Sequence, residues 1–144
     1  MPTSSGDHFL LGEGITIRRV NSIDPSIVAD VFRESGIIRP VDDLARIQRM
    51  FENSNLVFAA FDGETVVGIA RAITDFSYAT YLSDLAVRKT YQRQGIGKAL
   101  IDAVEQVIGE ESILLLVAGP LARDYYSHIG FESVPHAWIR HRKR

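Results

Sequence analysis

The chain contains no cysteine. That excludes disulfide frameworks, thiolate metal sites and any mechanism that passes an acyl group through a cysteine. It also has little net charge, −2 at pH 7, so no overall field draws it to nucleic acid or to an anionic membrane. No apolar run approaches the ~18 residues of a bilayer-spanning helix, and no basic stretch followed by a long apolar one opens the chain. A cytoplasmic address is the expectation. His8, His128, His136 and His141 share no ligand spacing with nearby carboxylates, so no metal is expected. The one concentration of positive charge, Arg140 to Arg144, has no aromatic platform beside it and reads as a solvated, frayed tail rather than a nucleic-acid patch. Internal repeats and Gly- or Ser-rich linkers are missing too, so residues 1–144 are expected to form one domain.

What remains is an ordinary globular composition, 46% hydrophobic and 24% charged over 144 residues, enough for a real core. Residues 1–14 are aperiodic and read as a mobile leader. Ile15 to Val20 alternates and predicts a strand. Asp24-Pro25 predicts an N-cap with proline at the first helical position, and the helix runs to a stop at Gly36. A second helix follows Pro40 and ends at Asn53-Ser54-Asn55. Leu56 to Phe61 and Thr65 to Ile73 flank Asp62-Gly63, a hairpin signal, and Thr80 to Val87 is a third strand. An amphipathic helix carries Ile96, Leu100, Ile101, Val104, Val107 and Ile108 on one face. Ile113 to Val117 reads as a strand buried on both faces, Arg123 to Ile129 as a short helix stopped by Gly130, and Phe131 to Val134 with Ala137 to Arg140 as a terminal strand pair. The order β-α-α-β-β-β-α-β-α-β-β predicts an α/β (α+β) fold with a mixed, mostly antiparallel sheet flanked by helices.

Between the third strand and the long helix lies Tyr91-Gln92-Arg93-Gln94-Gly95-Ile96-Gly97-Lys98-Ala99. Gly95 and Gly97 clear side chains from a helix start, where unpaired amides and the helix dipole attract an anion, and Arg93 and Lys98 add formal charge. The same residues would also serve as plain turn glycines. A mononucleotide loop fails here at Gln92 and Ala99, and a dinucleotide fingerprint fails at Leu100. Upstream, alternation places Asp84 with Leu82 and Ala86 on an apolar face. A buried carboxylate needs a partner, so Asp84 is either a base facing an amine or a core residue satisfied by backbone amides or an arginine such as Arg71.

Gln-Arg-x-Gly-x-Gly after a strand ending in Ala86-Val87 resembles the acetyl-CoA loop of the GNAT N-acetyltransferase family. A second stretch, Ala122-Arg123-Asp124-Tyr125-Tyr126-Ser127-His128-Ile129-Gly130-Phe131, is similar to the family's late motif with Tyr125 in place of Phe. The likeness covers roughly Ile15 to Arg140. Arg71-Ala72-Ile73-Thr74-Asp75, followed by Asp84 and Tyr91-Gln92-Arg93-Gln94-Gly95, looks most like the family's small, single-domain bacterial and plastid arylalkylamine-type branch. The resemblance implies acetyl-CoA as co-substrate. Gln92, Arg93, Gln94, Gly95, Ile96, Gly97, Lys98 and Ala99 would hold the pyrophosphate, while the backbone of Leu85, Ala86 and Val87 would pair with the pantetheine arm and hold the oxyanion. It implies that Tyr126 protonates the leaving thiolate, the bland counterpart being a tyrosine that packs its helix on the sheet. It implies further that Asp84 stands where relatives carry an acidic base. Relatives often have Asn where this chain has Gly119 and Pro120. The acceptor implied is a primary amine, either a small molecule of arylalkylamine type or a peptide amine, with aminoglycosides and polyamines left open and a homodimer admitted. The alternative reading is a catalytically silent CoA-binding sensor or interaction module.

Overall fold

Asp24 and Pro25 start the first helix as the sequence predicts. The Asp24 carboxylate accepts from the Ser26 amide, proline occupies the first turn, and Gly36 at φ 89° closes the helix in the left-handed conformation that favours glycine. The computed structural model describes residues 8–11, 14–120 and 122–144. Within them run strands β1 (His8–Leu11) and β2 (Ile15–Arg19), helices α1 (Pro25–Ser35) and α2 (Leu44–Glu52), strands β3 (Leu56–Asp62), β4 (Thr65–Thr74) and β5 (Ala79–Val87), helix α3 (Ile96–Ile108), strand β6 (Ile113–Leu116) and helix α4 (Arg123–His128). A 3₁₀ turn, Lys89–Tyr91, precedes α3.

The six strands form one sheet in the order β1-β2-β3-β4-β5-β6. Every neighbouring pair is antiparallel except β5 and β6, which are parallel across the α3 crossover. Alternation along β3 separates two apolar layers. Leu56, Phe58 and Ala60 pack toward Ile96, Leu100 and Val104 of α3, whereas Val57 and Ala59 pack toward Val28, Phe32, Ile47 and Phe51 of α1 and α2. Helix α3 lies close against β4 because Gly68 has no side chain. A Cβ there would stand 3.2 Å from Leu100 Cδ1 and 3.3 Å from Ile96 Cγ2.

Strand β5 is built differently along its two edges. Against β4 it pairs from Thr80 to Val87, with an extra residue, Ser83, bulged where the register moves from Arg71–Asp84 to Ala72–Leu82. Against β6 it pairs only from Ala79 to Leu82. Beyond Leu82 the two strands part, and the edge of β5 from Ser83 to Val87 has no strand beside it.

Four expectations need correcting. Part of the expected leader, His8–Leu11, is a strand along β2; two residues of alternation on each face are too few to signal it. The rest of that expectation, residues 1–7, 12 and 13, lies outside the described residues. Strand β6 is not buried on both faces, since Ile113 is 58% and Leu115 38% exposed: it ends the sheet. The expected terminal strand pair is not formed; residues 131–144 make neither helix nor strand. Pro135 interrupts that stretch and has no amide to give to a ladder. Finally, the β3–β4 turn sits one residue later than expected, with Asp62 paired to Thr65 across Gly63-Glu64.

Candidate active site

The parting of β5 from β6 opens a cavity of about 1020 Å³. Leu85, Ala86 and Val87 line one wall, the segment from Leu116 to Pro120 the other, and the loop from Gly36 to Pro40 covers it. The unpaired edge of β5 therefore borders the cavity; Ser83 O accepts from Arg39 and Val87 O from Gln92, and the edge groups between them are left to a guest or to water.

At the far end of β5 the glycine loop is braced from several sides. Gln92 Nε2 donates to Val87 O at 2.9 Å and to Ser35 O at 3.4 Å, joining the strand end to the close of α1. Tyr91 donates to Asp62 Oδ2 at 2.5 Å, and that bond raises its phenol above its ordinary value. Arg88 bridges Asp30 and Glu34 at 2.7 and 2.9 Å and donates to Val66 O. Arg93 and Gly95 both have positive φ, 65° and 86°. Left-handed residues in such a loop turn successive N–H groups toward one concavity. Helix α3 follows with no side-chain cap, so the amides of its first turn have no intrahelical partner. Gln94 Nε2 donates back to Thr90 O at 3.4 Å, and Lys98 is paired with Asp102 at 2.9 Å, one turn on. Of the loop, Gln92 is the residue that lines the cavity. The loop is thus a backbone cradle, with Lys98 already engaged.

Tyr126 lines the cavity and Tyr125 does not. The difference arises at the end of α4. Phe131 N donates to Tyr126 O at 3.0 Å and Gly130 N to Ser127 O at 3.5 Å, with Gly130 left-handed at φ 99°. This is the Schellman arrangement, and it brings the Phe131 ring edge-on to Tyr126 at 5.5 Å. The Gly-Phe pair of the motif thereby fixes the tyrosine four to five residues earlier. Tyr125 packs edge-on against Tyr126 at 5.2 Å and lays its hydroxyl over Gly97, 3.2 Å from where a Cβ would stand. Burial, then the neighbouring Tyr125, pushes the Tyr126 phenol above its ordinary value, while Arg39 pulls it partly back.

Asp84 is buried and does not line the cavity. Its Oδ2 takes Arg71 Nε at 2.5 Å and its Oδ1 takes Arg39 Nε at 2.6 Å. The arginines reach on: Arg39 to Ser83 O at 2.7 Å, Arg71 to Ser83 Oγ at 2.8 Å and to Ser54 Oγ at 2.9 Å. The cluster pins the Gly36–Pro40 loop and the end of α2 to the bulge in β5. An amine-facing carboxylate is therefore not what this geometry provides; both oxygens are held by guanidinium groups. The arginine-paired reading matches it.

Sequence reasoning did not single out Arg39 and Arg46, and it read Arg142 and Arg144 as part of a solvated tail; all four line the cavity. Arg46 on α2 donates to Arg144 O at 3.4 Å, across 98 residues of sequence. The basic tail thus lies along the cavity instead of trailing free, and no local pattern carries that signal. Gly119 and Pro120 line the wall where an Asn was expected to help hold a cofactor. Among the described residues, no three His, Cys, Asp or Glu side chains cluster as metal ligands, and no helix is long and apolar enough to cross a membrane.

A family model described as "Acetyltransferase (GNAT) domain" matches residues 16–141. The chain is similar to GCN5-related N-acetyltransferase 2, chloroplastic, of Arabidopsis thaliana, at 33% identity over 72 residues, 49% of this chain and 28% of that protein. It is similar also to the uncharacterized N-acetyltransferase ycf52 of Gracilaria tenuistipitata var. liui, at 29% over 91 residues, 62% of this chain and 50% of that one. The chain therefore spans half or less of the curated relatives it matches here, and neither bears out the bacterial character expected from the sequence. Among solved structures, an aminoglycoside acetyltransferase from an uncultured soil metagenomic sample, in complex with trehalose, superposes with a TM-score of 0.67 at 25% identity, covering 91% of this chain and 99% of that one.

Proposed function

The chain belongs to the GNAT acetyltransferase family, and from that premise we propose that it moves an acetyl group from acetyl-CoA to a primary amine by direct attack. The observation that carries this reading is the unpaired edge of β5 from Ser83 to Val87, which borders a cavity that Tyr126 also lines. Pantetheine amides would extend the sheet along that edge, and the amides around Gly95 and Gly97 would take the pyrophosphate. The uncharged amine attacks the thioester carbonyl carbon, forming the C–N bond and a tetrahedral oxyanion within reach of a β5 amide. Collapse breaks the C–S bond. The thiolate takes the Tyr126 proton, the new amide nitrogen gives its surplus proton to water, and solvent reprotonates the phenolate. Burial raises the Tyr126 phenol above its ordinary ~10, which keeps it protonated for donation to the departing thiolate, whose thiol ordinarily titrates at ~8.5.

Asp84, in this reading, positions rather than catalyses. Its cluster holds the bulge at Ser83 and the covering loop in place, and the acceptor arrives already deprotonated. Met50, Tyr81 and Ile37 give the cavity an apolar share that suits an acceptor with an aryl or alkyl body. A homodimer fits the exposed apolar edge at Ile113, Leu115 and Val117, and sedimentation that finds only monomer at high concentration would dismiss it. The deciding experiment is release of free thiol from acetyl-CoA across a panel of primary amines. Turnover with at least one amine is expected. Protein that binds acetyl-CoA and releases no thiol with any of them would instead be a silent CoA-binding module.

A further inference from the structure

The charge on the cavity wall is one-sided. Among the described residues five arginines line it, Arg39, Arg46, Arg71, Arg142 and Arg144, and no aspartate, glutamate or lysine does, in a chain whose acidic residues outnumber its basic ones 18 to 16. Arg39 and Arg71 share the single carboxylate of Asp84 behind them. Arg46, Arg142 and Arg144 pair with no aspartate or glutamate among the described residues. Their arrangement is held by the Arg46 bond to Arg144 O, and Ile139 of the same tail also lines the cavity. Guanidinium groups are forked donors suited to carboxylate and phosphate oxygens, and walls of low dielectric focus their field inward. A polycationic acceptor would meet like charge here, with no aspartate or glutamate side chain among the described lining residues to receive its second ammonium.

Resting on the acetyltransferase reading above, we propose that the acceptor is a primary amine that also carries an anionic group, a carboxylate or a phosphate, received by Arg46, Arg142 and Arg144. Among the described residues no hydrogen bond or ion pair joins the three to the glycine loop. Arg46 shares one face of α2 with Met50, one turn on, and Ser54, just past the end of α2, is tied to Arg71 and so to the bulge at Ser83. Gln92, at the root of the loop, is tied to Val87 at the other end of that edge. The tail thus completes the acceptor side, and it sets specificity by charge.

The test pairs amines that differ only in the anion. Hexylamine is compared with 6-aminohexanoate for the carboxylate and ethanolamine with O-phosphoethanolamine for the phosphate, with spermidine and kanamycin as polycations. At least one anionic amine is expected to exceed its neutral partner by tenfold or more in kcat/KM, with the gap narrowing as salt is raised. The exposed pair Arg142→Glu with Arg144→Glu should erase that preference while the KM for acetyl-CoA stays within twofold. Polycations equal to or better than the anionic amines would overturn the proposal. So would a double variant that raises the acetyl-CoA KM and spares the acceptor, because the arginines would then serve cofactor phosphates. Should no amine release thiol, the acetyltransferase reading fails by itself. Calorimetry of the same amines on CoA-loaded protein then decides the charge proposal, with tighter binding of the anionic partner supporting it and equal or weaker binding overturning it.

Discussion

The hydroxyl of Tyr126 is the smallest unit on which the proposed chemistry turns. Tyr126→Phe keeps the ring against Phe131, so the fold and acetyl-CoA binding should survive. Losing the proton donor should cost on the order of 10²-fold in turnover, or ~2.7 kcal/mol of barrier, on kcat and kcat/KM alike. Tyr125→Phe is the control and should stay near the parent, since that ring lies over Gly97 outside the cavity. Steady-state kinetics that show Tyr125 essential and Tyr126 dispensable would put the acid one residue earlier. The pH profile follows from the same group. Burial, the largest cause, raises the Tyr126 pKa, so the phenol keeps its proton at every pH below ~10. For an alkylamine of pKa ~10.4, kcat/KM should therefore climb about tenfold per pH unit toward the amine's own pKa, with no descending limb before it; a fall centred below pH 9 would refute this. Asp84 makes the opposite case, a charge whose loss is structural. With its side chain 0% exposed between Arg71 and Arg39, Asp84→Asn leaves two guanidinium groups facing each other uncompensated. About 3 kcal/mol of stability should go, lowering Tm by roughly 10 °C. A variant that melts like the parent would mean the cluster contributes little.

Elements show why some of this was legible in the sequence and some was not. Helix α1 is written locally: Asp24, Pro25 and Gly36 act on their own neighbours. The same holds for the tyrosine motif, where Gly130 and Phe131 close a bond on Tyr126 within five residues. Helix α3 was legible from its apolar face, but the reason it sits so close to β4 is Gly68, read at first as one more residue in a strand. Strands that depend on a distant partner were read less well. β6 has the apolar run of a central strand and sits at an edge, because the residues expected to flank it leave the sheet instead. The arginines of the cavity are further still from local pattern: Arg39 meets Asp84 across 45 residues. Gly68 gives the element-scale prediction. Gly68→Val drives a branched side chain into Leu100 and Ile96, already 3.2 and 3.3 Å from a Cβ, and should cost about 1–3 kcal/mol. Ile96 and Leu100 are the first turns of α3, so the glycine loop should shift with them and the acetyl-CoA Kd should weaken several-fold. Calorimetry on folded variant with an unchanged Kd would separate the loop from the helix packing.

At the scale of the whole molecule, the sheet has a firm part and a loosely joined part. Strands β2 to β5 are covered on both faces by α1, α2 and α3. Strand β6 is held to β5 over four residue pairs only, and α4 has no buried residue of its own. The proposed acetyl-CoA cleft lies between the two parts, lined by β5 on one side and by the β6 end and Tyr126 on the other. A ligand that touches both walls adds its binding energy to the native state alone. At 100 times its Kd it should add about 2.7 kcal/mol, raising Tm by roughly 8–10 °C for a domain of this size. Its effect should also be uneven. Amides of Ile113–Leu116 and Arg123–His128 should open by local fluctuation in the free protein and gain protection from hydrogen exchange, whereas β3 and β4 should open with global unfolding and follow the global stability. Exchange measured with and without acetyl-CoA distinguishes the two. Protection gained at α1 and α2 but not at β6 and α4 would place the ligand on the wrong side of β5, and the cleft proposed here would not be where the cofactor binds.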